Sequence, residues 1–223
     1  GRGMSNSVLV VGGGFTGMRA AREIAAAGSR AILLEQRPIL GGKRAALLES
    51  PDNPEPDLSN IADAGNIEIH TLTSLTSLTG EAGEFIAMLQ AQPRYVTADC
   101  TRCNHCVPVC PQVAPNEYDA GLTFRKAIHS PLPQTIPDIY SIDIDSCLNS
   151  PPNYLPCQRC AEACEDDAIH FDQPQPEAVE REVESVVVAK GFAEASSAER
   201  AILEEFDYGA HQDIVSAAEM QLL

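Results

Sequence analysis

Eight cysteines lie between positions 100 and 164 and nowhere else in the 223-residue chain, and their spacing constrains the fold more than any hydrophobic pattern does. The first group runs Cys100-x2-Cys103-x2-Cys106-x3-Cys110-Pro111, and the second Cys147-x9-Cys157-x2-Cys160-x3-Cys164-Glu165. No secretory hydrophobic region precedes the first apolar run, so the chain reads as soluble and cytoplasmic. Clustered cysteines in that setting point to metal rather than disulfides. Prolines are scattered from position 93 to position 176 around both groups. So much proline suits a small module held together by metal instead of a large core.

The first group has the gapless spacing of a bacterial ferredoxin. In that arrangement three thiolates wrap one [4Fe–4S] cube, and the fourth cysteine, followed by proline, turns away to ligate a second cluster. The second group supplies what the first one asks for. Its last three cysteines keep the ferredoxin spacing, its first gap holds nine residues instead of two, and Glu165 replaces the usual proline. Ferredoxin pairing assigns Cys100, Cys103, Cys106 and Cys164 to cluster one, and Cys110, Cys147, Cys157 and Cys160 to cluster two. Structural zinc is the competing reading, because Cys-x2-Cys pairs also build zinc ribbons. His105 lies inside the first motif and reads as a hydrogen-bonding neighbour, since four cysteines already satisfy a cube.

A second motif opens the chain. Val8 to Val11 form an apolar run, followed by Gly12-x-Gly14-x-x-Gly17, an alanine-rich helix expected over 18–27, Gly28 as its stop, and a strand over 30–34 ending at Glu35. This is the context that a dinucleotide fingerprint requires. Gly12 permits the tight turn, Gly14 lets backbone amides approach a pyrophosphate, and Gly17 allows close helix–strand packing. The helix N-terminus favours phosphate charge, and Glu35 accepts from a ribose. FAD, NAD and an empty structural unit all fit the motif. The fingerprint's place at the head of the chain, and Gly41-Gly42 after Arg37-Pro38, favour FAD. The expected contacts are Gly12, Gly14, Phe15, Thr16, Gly17, Glu35, Gln36, Arg37, Gly42 and Lys43.

The remaining pattern gives a proline-rich loop over 50–57, a short helix over 58–64, a strand over 66–71, and a hairpin from 74–78 and 84–89 around Gly80-Glu81-Ala82-Gly83. A buried strand is expected over 184–189. The fold class is therefore α/β, a Rossmann-like FAD-binding domain with an inserted two-cluster ferredoxin-like (α+β) module. The expected domains are 1–94 for the first part of the FAD domain, 95–176 for the insert and 177–223 for the FAD domain's closing strand and C-terminal segment. Gly1-Arg2-Gly3 precedes Met4, reads as a leftover of expression, and is left out of fold reasoning. A formal net charge of −17 argues against nucleic acid and anionic membrane surfaces. It serves either docking onto a basic protein face or simple solubility.

Beyond these motifs the chain resembles the A-subunit family of heterodisulfide reductase. The likeness runs through Pro93-Arg94-Tyr95-Val96, through residues 113–122 (Val-Ala-Pro-Asn-Glu-Tyr-Asp-Ala-Gly-Leu), through residues 125–134 (Arg-Lys-Ala-Ile-His-Ser-Pro-Leu-Pro-Gln), and through Tyr140-Ser141-Ile142-Asp143. The resemblance implies FAD and two [4Fe–4S] clusters passing electrons to other electron-transfer subunits of a complex, with this chain forming a homo-oligomer within it. No nucleic acid and no membrane insertion are expected. It also implies that Lys126 approaches the flavin, against the reading of Arg125-Lys126 as a solvated pair, and that Gly191 contacts the cofactor. Departures accompany it: residues 43–99 lack the cysteines that relatives carry, and Ala189-Lys190-Gly191 stands where the family has Ala-Thr-Gly. The chain also stops where relatives continue into another nucleotide-type domain, so it is expected to be a shortened relative or a truncated piece. The alternatives are a self-contained flavin-dependent oxidoreductase, a ferredoxin-like relay without flavin, and a purely structural component.

Overall fold

The structure is a computed structural model and describes residues 6–42, 59–119, 121–130, 132, 135–149, 156–172 and 178–190. Its first layer is a parallel sheet of β1 (Ser7–Val11), β2 (Arg30–Leu34), β3 (Ile67–His70) and β11 (Ser185–Val188), in the order β11-β1-β2-β3. Helix α1 (Phe15–Ala26) covers one face, with its buried Met18 and Ala21 packing among Val10, Ala31 and Leu33. The alternate residues Leu9, Val11, Ile32 and Leu34 pack on the other face. Burial on both faces is why β1 and β2 read as continuous apolar runs instead of alternating ones.

The helix begins three residues earlier than its periodicity suggests, directly after Gly14, which is extended. It ends as expected. Gly28 takes a φ of 89°, its N–H donates to Ala25 O (3.0 Å), and Ser29 N–H donates to Ile24 O (3.2 Å). Those paired bonds satisfy carbonyls of the last turn, and a left-handed glycine makes them possible.

The second layer is antiparallel. β4 (Thr73–Glu81) and β5 (Glu84–Ala91) form the expected hairpin, longer at both ends, with Gly83 at a φ of 97° in the turn. A third strand, β10 (Ala178–Val183), pairs with β5 and was not expected. Ala87 and Leu89 of β5 and Val183 of β10 close over the second face of the parallel sheet. The expected helix over 58–64 shortens to α2 (Ser59–Ala62), while the expected loop over 50–57 lies outside the described residues. The strand expected over 184–189 forms as β11, but it is an edge and not a buried strand. Among the described residues it pairs with β1 alone, and Val188 is 71% exposed.

Between β5 and β10 the chain leaves both sheets. The ends of this segment meet through a bridge of Val96 to Ile169, bonds from Thr97 N–H to Ala168 O (2.8 Å) and from His170 N–H to Tyr95 O (2.9 Å), and a 5.7 Å ring contact of Tyr95 with Phe171. Inside it are α3 (Cys106–Val109), the pair β6 (Val113–Pro115) and β7 (Phe124–Lys126), the pair β8 (Ile128–His129) and β9 (Ser141–Ile142), a 3-10 turn over Ile144–Ser146, and α4 (Arg159–Glu162). None of these elements exceeds four residues, so local structure contributes little to stability here. Among the described residues no helix is long and apolar enough to cross a membrane.

Candidate functional site

The glycine loop links β1 to α1. Gly12 has a φ of 116°, and a Cβ there would stand 2.3 Å from Ala189 O; one on Gly17 would stand 1.7 Å from Gly12 O. Strand, loop and helix therefore touch backbone to backbone, and only glycine fits. Gly14 is different, because a Cβ built on it would meet nothing within 4 Å. It caps α1, whose first turn carries no side-chain cap and no acidic residue. An open approach to a helix N-terminus with amides to satisfy suits a phosphate.

Glu35 is 8% exposed and holds this loop in place. One carboxylate oxygen accepts from Gly13 N–H (2.9 Å) and the other from Arg37 N–H (2.8 Å). Each oxygen keeps a lone pair for a ribose hydroxyl. Gly41 N–H donates to Gly13 O (2.9 Å), and Gly42 lies against Gly14, which brings the Gly41-Gly42 segment onto the same loop. Phe15 is half-buried, and Thr16 and Gln36 are exposed. The structure thus gathers Gly12, Gly14, Phe15, Thr16, Gly17, Glu35, Gln36, Arg37 and Gly42 around one edge of the sheet. Lys43 and Gly191 lie outside the described residues.

The cysteines divide into two neighbourhoods. Cys110, Cys147, Cys157 and Cys160 line one cavity, together with Ile128, Ile142 and Phe171. The other neighbourhood centres on Cys106, whose thiol is pushed up to about 12 by burial and by the nearby Cys100, Cys160 and Cys103. Cys160 is likewise pushed up to about 11 by burial and by Cys147, Cys110 and Cys157. Thiols crowded together out of water favour the protonated form unless a cation offsets their charge. Cys164 packs on the same core, and its Sγ accepts from Ala168 N–H (3.3 Å). Among the described residues no group of three or more Cys, His, Asp or Glu is gathered tightly enough to hold a metal ion. Four thiolates on a single zinc would stand about 3.8 Å apart. His105 is exposed and reaches Glu165, the residue that replaces the motif's proline, at 3.5 Å.

The sequence comparisons bear on the first of these sites. A family described as FAD dependent oxidoreductase matches residues 7–128, more than half of the chain. The chain belongs to that family. Its relatives are named as the A-subunits of heterodisulfide reductases. The iron-sulfur A-subunit of the CoB–CoM heterodisulfide reductase of Methanocaldococcus jannaschii is 32% identical over 98% of this chain. One of the corresponding A-subunits of Methanopyrus kandleri is 36% identical over 99% of it. The A-subunit of the ferredoxin:CoB-CoM heterodisulfide reductase of Methanosarcina acetivorans is 35% identical over 97% of it. The chain spans about a third of the length of these relatives (33%, 33% and 28%).

In this member of the FAD-dependent oxidoreductase family the cysteine segment packs directly on the flavin-family loops. Leu40 N–H donates to Ile136 O (2.9 Å), and Tyr118 packs with Ile39 and Leu132. Arg94 donates to Pro38 O and Thr71 Oγ1, both at 2.5 Å, and its guanidinium is pulled down to about 10 by burial. Burial raises the Tyr118 phenol to about 12, and Glu35 and Arg37 are among the charges it feels. Sequence reasoning placed Arg94 and Tyr118 in diagnostic stretches but assigned them no role. Arg125 is not a solvated cation. It is half-buried between Glu117 (2.5 Å) and Asp143 (2.9 Å), while Lys126 pairs through its backbone with Val113 on β6. Asn149, inside the insertion, also went unnoticed. It contacts both Cys147 and Cys157.

Proposed function

We propose that this chain is an iron–sulfur flavoprotein that works as an electron-transfer component of a heterodisulfide reductase-like complex. FAD is held at the glycine loop and two [4Fe–4S] clusters by the eight cysteines. The observation that carries the reading is the cavity whose sulfur lining comes from Cys110 of the first group and Cys147, Cys157 and Cys160 of the second. Those are the four ligands that ferredoxin cross-ligation requires. Bound FAD exchanges electrons in pairs and a cluster takes them singly, which is the conversion such a component supplies.

The protein's part is to bind, place and shield. The α1 N-terminus and Gly14 offer amides to a pyrophosphate, and Glu35 offers acceptors to a ribose. Cys100, Cys103, Cys106 and Cys164 would hold one cluster, with the cavity set holding the other. Ile128, Ile142 and Phe171 keep water from the second. Tyr118, Ile39 and Leu132 hold the two sites' supports together, so that transfer between them stays within the protein. The partners are other subunits of the complex, as the names of the relatives suggest.

Anaerobic purification followed by iron, zinc and flavin quantification tests this reading. About eight irons per chain with a bleachable flavin band is expected. Iron without flavin reduces the protein to a ferredoxin-like relay, and zinc from a medium containing both metals overturns the electron-transfer function.

A further inference from the structure

The second cysteine group departs from ferredoxin spacing at the nine-residue gap between Cys147 and Cys157, and one side chain spans that gap. Asn149 Oδ1 accepts from Cys157 N–H (3.2 Å), and Nδ2 donates to Cys157 O (2.9 Å). Gripping both backbone groups of a single residue fixes which way the amide points, because the flipped amide would set donor against donor. With that orientation set, Nδ2 also stands 3.7 Å from Cys147 Sγ as a donor. Asn149 is half-buried and lines the cavity beside the sulfurs it touches.

The first group is stabilised differently. Its first three cysteines are separated by two residues each, Arg102 and Asn104 take left-handed backbone (φ 58° and 68°), and Arg102 is tied outward to Ser130 Oγ (2.7 Å) and Leu132 O (2.8 Å). Cys164, which the second group contributes to cluster one, accepts at Sγ from backbone, Ala168 N–H (3.3 Å). Across the nine-residue gap it is a side chain, that of Asn149, that reaches the sulfur.

We infer that Asn149 is a positioning residue: it closes the insertion by joining Cys147 to Cys157, and its N–H on Cys147 Sγ raises the reduction potential of the cluster held by Cys110, Cys147, Cys157 and Cys160. This rests on the two-cluster reading above. Reduction adds negative charge that the sulfurs share, so a donor on sulfur stabilises the reduced state.

The test is a potentiometric titration of the full cofactor-loaded chain, followed by electron paramagnetic resonance, with iron counted on the same samples. Asn149→Ala removes the bonds to both backbone groups of Cys157 and the contact with Cys147 Sγ. Asn149→Asp keeps an oxygen for Cys157 N–H while removing the donor to sulfur, so it preserves part of the closure. The expected result is a lowered midpoint for one cluster in N149A and a lower one still in N149D, with the other midpoint unmoved. N149A is also expected to release about half of its iron to a chelator faster than wild type. Unchanged midpoints with full iron in both variants overturn the inference, and so does an equal displacement of both midpoints. Wild-type protein with about four irons fails the two-cluster reading itself, and the inference falls with it.

Discussion

The parallel sheet and the cysteine segment are stabilised in different ways. Leu9, Val10, Ala31 and Leu33 are fully buried by other protein atoms. Each large aliphatic side chain so buried contributes about 1.5–3 kcal/mol. The glycine loop rests on that core and is shaped before any ligand arrives. In the cysteine segment the main core cluster has nine buried members among the described residues, of which Cys106, Cys110 and Cys160 are three. Among the described residues its strands are two or three residues long and its α-helices four. Two of these thiols, Cys106 and Cys160, are pushed up by burial, which opposes the ionised form that ligates. On the proposed function, the contrast teaches that the first region would keep its shape without a cofactor, whereas the second would depend for its shape on the clusters it binds.

Iron removal should break the comparison most visibly. Chelation under reducing conditions is expected to abolish amide hydrogen-exchange protection across residues 95–172 while β1 and β2 stay protected. Uniform loss across both regions would mean that they are one cooperative unit. A smaller effect is expected from Gly17→Ala, whose new methyl meets the Gly12 carbonyl at 1.7 Å. It should cost about 2–3 kcal/mol in thermal or denaturant unfolding and remove flavin while leaving iron content intact. Loss of iron along with flavin would show that the sheet edge supports the clusters too.

Glu35→Gln should have the smallest effect. The carboxylate accepts two backbone N–H bonds, and an amide can accept only one while turning a donor against the other. A cost of about 1.4 kcal/mol is expected, read as roughly tenfold weaker FAD binding in a fluorescence titration with iron unchanged. Unaltered affinity would place the ribose elsewhere.

Local features were read well from the residues. The glycine fingerprint, Glu35, the Gly28 stop and the β4–β5 hairpin depend on neighbours within a few positions, where steric rules leave few choices. What escaped was non-local. β10 carries an alternating Val-Glu-Arg-Glu-Val signal, but its partner β5 is nearly ninety residues away, and nothing near residue 178 announces the pairing. Arg125 looked exposed because Asp143, which pairs with it, lies eighteen residues further on. The apolar β11 looked buried because hydrophobicity along the chain does not say that the strand ends up at an edge.

By itself the sequence determined which groups could do chemistry: eight thiols in two spaced runs, and a glycine turn at the head of a helix followed by an acidic strand end. Only the tertiary structure decided that Arg94 and Tyr118 join the cysteine segment to the loops after β2 and β3, and that Asn149 holds Cys147 to Cys157. The reason is physical. Spacing limits what a loop can reach, but the placement of one loop against another depends on packing among residues distant in the chain, and no local pattern encodes that.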